Sequence, residues 1–209
     1  MKAQNRSFYL LTCVIIFALL TASMFVFIIL PRGHPLEIKK TDELFGIVED
    51  GDIICRLGNR LWSEIFSGIS VTDKRFSHMG IIRIHNDIVT VIHAEGNTGH
   101  GNDSVSEVPL DDFLLIARKV GVYRINNIDA DKISRIALEY VGIPFDWEFD
   151  MHNDSKIYCT ELLYIILKRI APAMELNTVF IEKLGKEIIP LEAISNSEHF
   201  TEVYYNSKQ

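Results

Sequence analysis

Two short segments of the chain each place a reactive side chain beside an apolar run. His78 lies in "FSHMGII", residues 76–82, and Cys159 lies in "KIYCTELL", residues 156–163. A thiolate is a strong nucleophile, and a neutral imidazole can take the thiol proton and later return it to a leaving group. The pair predicts nucleophilic catalysis if the fold brings the two together, although each residue alone is compatible with a structural role.

The position of Cys159 favours an ionised thiol. The segment before it is polar and turn-prone, and the segment after it has the apolar periodicity of a helix. A helix N-terminus offers unpaired backbone N–H groups and a dipole that favours an anion. We therefore expect a lowered thiol pKa and a backbone donor for a tetrahedral oxyanion. The alternative is that Cys159 is a small buried hydrophobic residue.

A third group must orient the imidazole of His78, which begins a predicted strand after Ser77. The neighbouring predicted strand, "VTVIHAEG", carries His93 and Glu95. Because these residues are two positions apart on a strand, both side chains project from the same face. Either can hold the base in its useful tautomer, and the alternation of the strand does not choose between them. The alternative for each is an exposed residue at a strand end.

The elements that must position these side chains form an α+β pattern, with strands in the middle of the domain and helices around them. A two-strand hairpin with the short polar turn "HND" indicates an antiparallel sheet. The predicted strands are 51–57, 78–84, 88–94, 119–125 and 200–205, and the predicted helices are 59–69, 129–142 and 158–170.

The N-terminus predicts a membrane anchor. Phe8 to Leu30 carries no charge over 23 residues, which in a helix spans roughly 34 Å, enough for a bilayer core. An uncleaved single span is favoured over a signal peptide, because the apolar run continues past its small residues. A short N-terminal tail favours a domain outside the cytoplasm, which is the periplasm in a Gram-negative bacterium. The predicted organisation is an anchor at 1–30, a linker at 31–46 and one domain at 47–209.

The composition and residue spacing argue against several classes of partner and ligand. The net charge of −7 without a basic stripe argues against nucleic-acid binding. The loop "HAEGNTGHGN" lacks the spacing of a phosphate loop, and no ligand pair with recognisable metal spacing is present. No metal and no cofactor are predicted. Three cysteines, one of them in the apolar run, do not make a disulfide framework.

Six segments in a fixed order resemble the YiiX/YaeF-type permuted papain-like amidases, which are related to the NlpC-type cell-wall peptidases. The resemblance covers roughly residues 47–205. The segments are "GDIICR", "SHMGIIR", "VIHAEG", "IPFDWEFD", "YCTELL" and "IIPLEAISNSEHFTEVYY". It implies a circularly permuted papain-like fold in which the His strand precedes the Cys helix, with Cys159 as nucleophile and His78 as base.

One position departs from the family pattern, because His93 stands where the family strand usually carries Glu. A His in that role is similar to the lecithin–retinol acyltransferase-like branch of the superfamily. His93 is therefore the predicted third residue, with Glu95 as the alternative.

Phe145, Trp147 and Phe149 alternate along an extended run and, with Tyr158, are predicted to line the substrate cleft, although core packing is the alternative. Asp146 is predicted to make a local structural hydrogen bond only.

Together, the resemblance and the predicted anchor at 1–30 lead us to expect a membrane-anchored cysteine hydrolase that cleaves an amide bond, for example in a cell-wall peptide, or an ester bond. Two alternatives stay open. One is a lipid acyltransferase or lipase of the lecithin–retinol acyltransferase-like type. The other is a membrane-tethered binding module in which the cysteine is structural.

Overall fold

The computed structural model describes residues 43–96, 103–153, 155–182 and 184–207, together with Ile16, Phe17 and Thr21. The predicted anchor at 8–30 lies outside the described residues, apart from those three positions. Within the described part of the chain, no helix combines the length and apolar character needed to cross a membrane. The rest of this description concerns residues 43–207.

A six-stranded antiparallel sheet forms the centre of the domain, in the order β4-β3-β2-β1-β5-β8. A separate two-stranded ribbon pairs β6 with β7. The strands are β1 Ile53–Gly58, β2 His78–His85, β3 Ile88–Glu95, β4 Ser104–Pro109, β5 Ala117–Ile125, β6 Val179–Ile181, β7 Lys186–Ile188 and β8 Phe200–Ser207. The predicted α+β class with a central antiparallel sheet is confirmed.

The register of the β2–β3 hairpin determines which residues of the two strands lie together at the candidate site. The turn of the hairpin is formed by Asn86 and Asp87, at φ 51° and 61°. Asn and Asp tolerate this left-handed region, and two such residues in succession match the twist of an antiparallel hairpin. The turn pairs His85 with Ile88, and the ladder continues to the pair Ile81–Ile92. Residues before Ile81 and after Ile92 therefore lie together at the open end of the hairpin.

Helices cover both faces of the sheet. They are α1 Leu61–Ser67, α2 Leu110–Leu114, α3 Ala130–Leu138, α4 Cys159–Ile170 and α5 Glu192–Ser195. Helices α3 and α4 pack against β2 and β3, and their apolar residues share a core with Ile53 and Cys55 of β1. Helix α2 packs on the other face, with Ile54. Successive side chains of β1 therefore pack alternately into two separate hydrophobic cores.

Candidate active site

Cys159 is the first residue of α4, as the sequence predicts. The preceding residue, Tyr158, is extended and ends the loop, and its backbone N–H donates to Glu161 Oε2 at 3.2 Å. The Tyr158 hydroxyl accepts a hydrogen bond from the backbone N–H of Ile189 at 3.2 Å, and Thr160 Oγ1 donates to the Ile189 carbonyl at 2.7 Å. The start of the helix is therefore held on both sides of the cysteine.

The environment of the Cys159 thiol raises its pKa to about 11. Burial is the largest cause, since the charged thiolate loses hydration. Backbone N–H groups act in the opposite direction but do not offset the burial. They are those of Cys159 and Thr160, as expected at a helix N-terminus, and that of Met79 on β2. The predicted lowering of the thiol pKa is therefore wrong, and the resting side chain is a neutral thiol.

His78 is the first residue of β2, and its Nε2 lies 2.9 Å from Nδ1 of His93. This contact brings together two of the residues singled out in the sequence. It also determines the chemistry of the His78 ring, because Nε2 is engaged with His93 and Nδ1 is the nitrogen left to exchange a proton. The structure places His93, at the end of β3, against the ring of His78.

Phe113 of α2 holds the two imidazoles in place. Its ring stacks on His78 at 5.7 Å between centroids and meets His93 edge-on at 5.2 Å. The guanidinium of Arg56 lies over the same ring, 4.3 Å from the centroid, and Arg56 donates to the Phe113 carbonyl. One aromatic side chain from the opposite helix layer thus fixes both rings.

Glu95 has a different partner. Its carboxylate forms an ion pair with the buried Arg56, and its second oxygen lies 3.7 Å from His93 Nδ1. The two candidates for the third position therefore differ in their contacts: His93 is in hydrogen-bond contact with His78, and Glu95 neutralises Arg56.

Both histidines are neutral at physiological pH. Burial, and then the positive charge of Arg56, hold the pKa of His78 well below its ordinary value and lower that of His93 to about 3. A neutral imidazole is the form that can accept a proton. Neutral thiol and neutral imidazole together describe a resting site without a preformed ion pair.

A cavity of about 530 Å³ joins these groups at the open end of the β2–β3 hairpin. His78 and His93 reach it from the α2 side of the sheet, and Cys159 reaches it from the start of α4. The backbone N–H of Met79, the residue after His78, lies close enough to the Cys159 thiol to oppose the rise in its pKa, so the strand that carries His78 and the helix that carries Cys159 border the same cavity.

The four aromatic residues predicted to line a cleft, Phe145, Trp147, Phe149 and Tyr158, all line this cavity. Asp146 makes the local contacts predicted for it, since its carboxylate accepts from the backbone N–H groups of Glu148 and Asp150.

Sequence reasoning missed four residues of the site: Arg56, Trp62, Phe66 and Phe113. A charged residue inside the apolar strand "GDIICRL" is the one available signal, because a buried Arg requires a partner. The other three are apolar residues on short helices, and nothing in their spacing distinguishes a cavity wall from core.

The pH dependence of thiol reactivity tests whether resting Cys159 is protonated. Because the thiol pKa is raised to about 11, we expect alkylation of Cys159 by iodoacetamide to accelerate about tenfold per pH unit up to about pH 10. The measurement is the modified fraction of the Cys159 peptide by mass spectrometry. A rate plateau below pH 7 would instead indicate a thiolate–imidazolium pair and contradict this expectation.

Known proteins share both the sequence pattern and the fold of this chain. Residues 48–205 match the family described as permuted papain-like amidase enzymes, YaeF/YiiX, C92. A solved structure described as metalloprotein yiiX from Escherichia coli O157:H7 superposes with a TM-score of 0.65 at 18% identity, covering 78% of this chain and 99% of that chain. A search of curated proteins finds no matching relative. The chain therefore belongs to the YaeF/YiiX family of permuted papain-like cysteine amidases.

Proposed function

We propose that Cys159 is the nucleophile of this cysteine hydrolase, that His78 is its general base and that His93 orients His78. The observation that carries the proposal is the shared cavity, in which a helix-borne thiol and a hydrogen-bonded histidine pair meet. We further propose that the substrate bond is an amide, in keeping with the family, and that residues 8–30 tether the enzyme to a membrane with the domain outside the cytoplasm.

The proposed reaction begins when Nδ1 of His78 takes the thiol proton of Cys159, directly or through one water. The sulfur adds to the carbonyl carbon, and the backbone N–H of Cys159 donates to the developing oxyanion. The C–N bond then breaks, and the imidazolium returns its proton to the leaving amine. Water attacks the resulting thioester while His78 takes a proton from that water. The C–S bond then breaks, the carboxylic acid leaves, and the imidazolium returns its proton to the sulfur of Cys159.

Because the thiol pKa is raised, the general base must remove the proton of Cys159 during catalysis. A preformed thiolate is scarce at neutral pH, so proton transfer must accompany the attack of sulfur on the carbonyl. Exclusion of water by bound substrate strengthens the hydrogen bonds from backbone N–H groups to the developing negative charge. Orientation of His78 is then essential, which is the role proposed for His93.

An active-site thiol probe tests the pairing. A peptidyl or acyl chloromethyl ketone should label Cys159 in the wild-type protein at neutral pH, and labelling should fall by about 10²-fold or more in His78→Ala. His152→Ala is the matched control, because His152 is an exposed histidine outside the cavity. Labelling that is unchanged in His78→Ala would remove His78 from the mechanism.

The E. coli protein is described as a metalloprotein, which raises the question of a metal here. His78, His93 and Glu95 each offer a donor atom, and the three atoms lie within 4.8 Å of one another. However, Arg56 is bound to the Glu95 carboxylate, and its positive charge already opposes a proton on both imidazoles. The same repulsion acts more strongly on a divalent ion. These residues fit a metal poorly, and the proposed reaction has no metal-dependent step.

A further inference from the structure

We propose that Arg56 is a positioning residue that fixes the direction of the hydrogen bond between His78 and His93. By binding the carboxylate of Glu95, Arg56 prevents that carboxylate from drawing a proton onto Nδ1 of His93. The consequence for catalysis rests on the proposed role of His78 as general base, because the direction of this hydrogen bond decides whether His78 has a nitrogen free to accept a proton.

A hydrogen bond between two neutral imidazoles can run in either direction, since each ring has one N–H donor and one lone pair. The atoms concerned are Nε2 of His78 and Nδ1 of His93, 2.9 Å apart. If His78 donates, its lone pair is on Nδ1 and can take the thiol proton of Cys159. If His93 donates, His78 carries its proton on Nδ1 and cannot act as a base toward the thiol. Only the first direction is compatible with catalysis.

The far side of the His93 ring does not select the direction. In the described part of the chain, Nε2 of His93 is buried and has no hydrogen-bond partner, so no acceptor holds a proton on that nitrogen. The choice between the two directions therefore depends on the groups around Nδ1.

Glu95 is the group that can reverse the direction. Its Oε2 lies 3.7 Å from Nδ1 of His93, so a small movement of the carboxylate brings it within hydrogen-bond distance. An ionised carboxylate only accepts hydrogen bonds, and burial of His93 strengthens its attraction for a proton. A Glu95 carboxylate without Arg56 would therefore favour a proton on Nδ1 of His93, and that nitrogen could no longer accept from His78.

Arg56 holds Glu95 through its other oxygen. The guanidinium forms an ion pair with Oε1 of Glu95 and also donates to the carbonyl of Phe113. It lies 4.3 Å from the centre of the Phe113 ring. A planar guanidinium bound in this way has little freedom to move. The carboxylate of Glu95 is therefore directed toward Arg56, and Nδ1 of His93 remains available as the acceptor for His78.

The positive charge of Arg56 also limits the number of protons on the histidine pair. Arg56 lies opposite His78 in the register of β1 and β2. After burial, this charge is the next cause that lowers the pKa of both imidazoles. The pair therefore carries one proton on each ring, and the direction of the hydrogen bond is the variable that Arg56 and Glu95 determine.

Nitrogen NMR of the full chain with isotope-labelled histidine tests the direction, because protonated and unprotonated ring nitrogens differ in chemical shift. In the wild type we expect a proton on Nε2 of His78 and none on Nδ1 of His93. In Arg56→Met, Nδ1 of His93 should gain the proton. The double variant Arg56→Met/Glu95→Leu should restore the wild-type pattern, since it lacks the carboxylate. A wild type with a proton on Nδ1 of His93, or an unchanged pattern in folded Arg56→Met, overturns the proposal.

Steady-state kinetics with p-nitrophenyl acetate test the consequence for catalysis. Arg56→Met should lower kcat by about 10²-fold with little change in KM, because the base is lost while the substrate still binds. The double variant Arg56→Met/Glu95→Leu should recover at least about tenfold of that loss. All rates are corrected for the folded fraction. A loss of kcat that removal of Glu95 does not recover would indicate a purely structural role for Arg56 and would contradict the proposal.

Arg124→Met is the matched control. Arg124 also pairs with a buried carboxylate, that of Asp52, but lies outside the cavity. The variant should lower the melting temperature and keep both the wild-type nitrogen pattern and the wild-type kcat of the folded protein. The same change of pattern in Arg124→Met as in Arg56→Met would show that the loss of any buried ion pair disturbs the histidines, which would contradict a specific role for Arg56.

The NMR pattern in a Cys159→Ala background separates failure of this proposal from failure of the proposed function. The wild-type pattern and its response to Arg56→Met are expected there as well, because neither depends on the thiol. If the expected patterns are found but the thiol probe does not label Cys159, the hydrolase mechanism fails and the role of Arg56 in the histidine pair stands. If the probe labels Cys159 but Arg56→Met leaves the pattern unchanged, only the role of Arg56 is overturned.

Discussion

Replacing Cys159 by serine should lower kcat/KM by about 10³- to 10⁶-fold, the largest effect expected from any single substitution in this chain. The reason lies in the proton transfer. A serine hydroxyl is far less acidic than a thiol, and the base available to it is an imidazole whose pKa is already held well below its ordinary value. The cavity therefore offers no means of ionising the hydroxyl. The measurement is steady-state hydrolysis of an amide or p-nitrophenyl ester, with residual activity corrected for spontaneous hydrolysis.

Cys55 provides the matched control, because it is the other cysteine of the described domain and is completely buried in β1. Burial raises the pKa of the Cys55 thiol well above its ordinary value, which makes it a poor nucleophile. Cys55→Ala should keep activity, after correction for the folded fraction by thermal melting. If Cys159→Ser retains wild-type activity, the nucleophile lies elsewhere. If the wild type has no activity on any amide or ester while its fold is intact, the binding-module alternative gains support.

The second large effect is expected at His93. His93→Leu removes the partner of His78 Nε2, and we expect kcat to fall by about 10²- to 10⁴-fold, because an unoriented imidazole adopts the wrong tautomer. The informative control is His93→Asn, whose side-chain oxygen can lie where Nδ1 lies in histidine. It should retain activity within about tenfold of the wild type, since it still accepts from His78 Nε2. The pair of variants separates the hydrogen bond from the shape of the ring.

Glu95→Gln completes this test of the third position. The variant keeps the size of the side chain and removes the charge that pairs with Arg56. We expect activity to fall by less than about tenfold. We also expect the melting temperature to fall, because the buried Arg56 loses its anionic partner. A loss of activity in Glu95→Gln that exceeds the loss in His93→Leu would instead assign the orienting role to Glu95.

Local sequence signals predict most of the elements that carry the candidate site. The turn-prone residues before Cys159 and the apolar periodicity after it place the thiol at a helix start, and α4 begins at that residue. The polar turn "HND" predicts the β2–β3 hairpin, and Asn86 and Asp87 form that turn. The sequence also predicts that Gly142 ends a helix over 129–142. Gly142 does have a positive φ of 95°, but the helix α3 ends at Leu138, and the residues up to Gly142 form turns.

Other elements could not be read from the chain. Strand β4 follows a Gly- and Asn-rich segment of the sequence and contains two serines and a glutamate, so its composition does not favour a strand. Pairing with β3 stabilises it instead. The ribbon of β6 and β7 has only three residues in each strand. Segments this short carry too few alternating positions for a periodicity to be detected.

Local patterns in the sequence are enough to identify the residue types for catalysis and the elements that carry them: a thiol at a helix start, and a histidine on each strand of one hairpin. These are local properties, set by turn chemistry and side-chain periodicity. Only the folded chain shows that His93 rather than Glu95 contacts His78, because Arg56 from a third strand binds the carboxylate. It also decided that the thiol is neutral at rest, because burial outweighs the helix N-terminus. Solvation and ion pairing depend on residues distant in the chain, so no local pattern could reveal them.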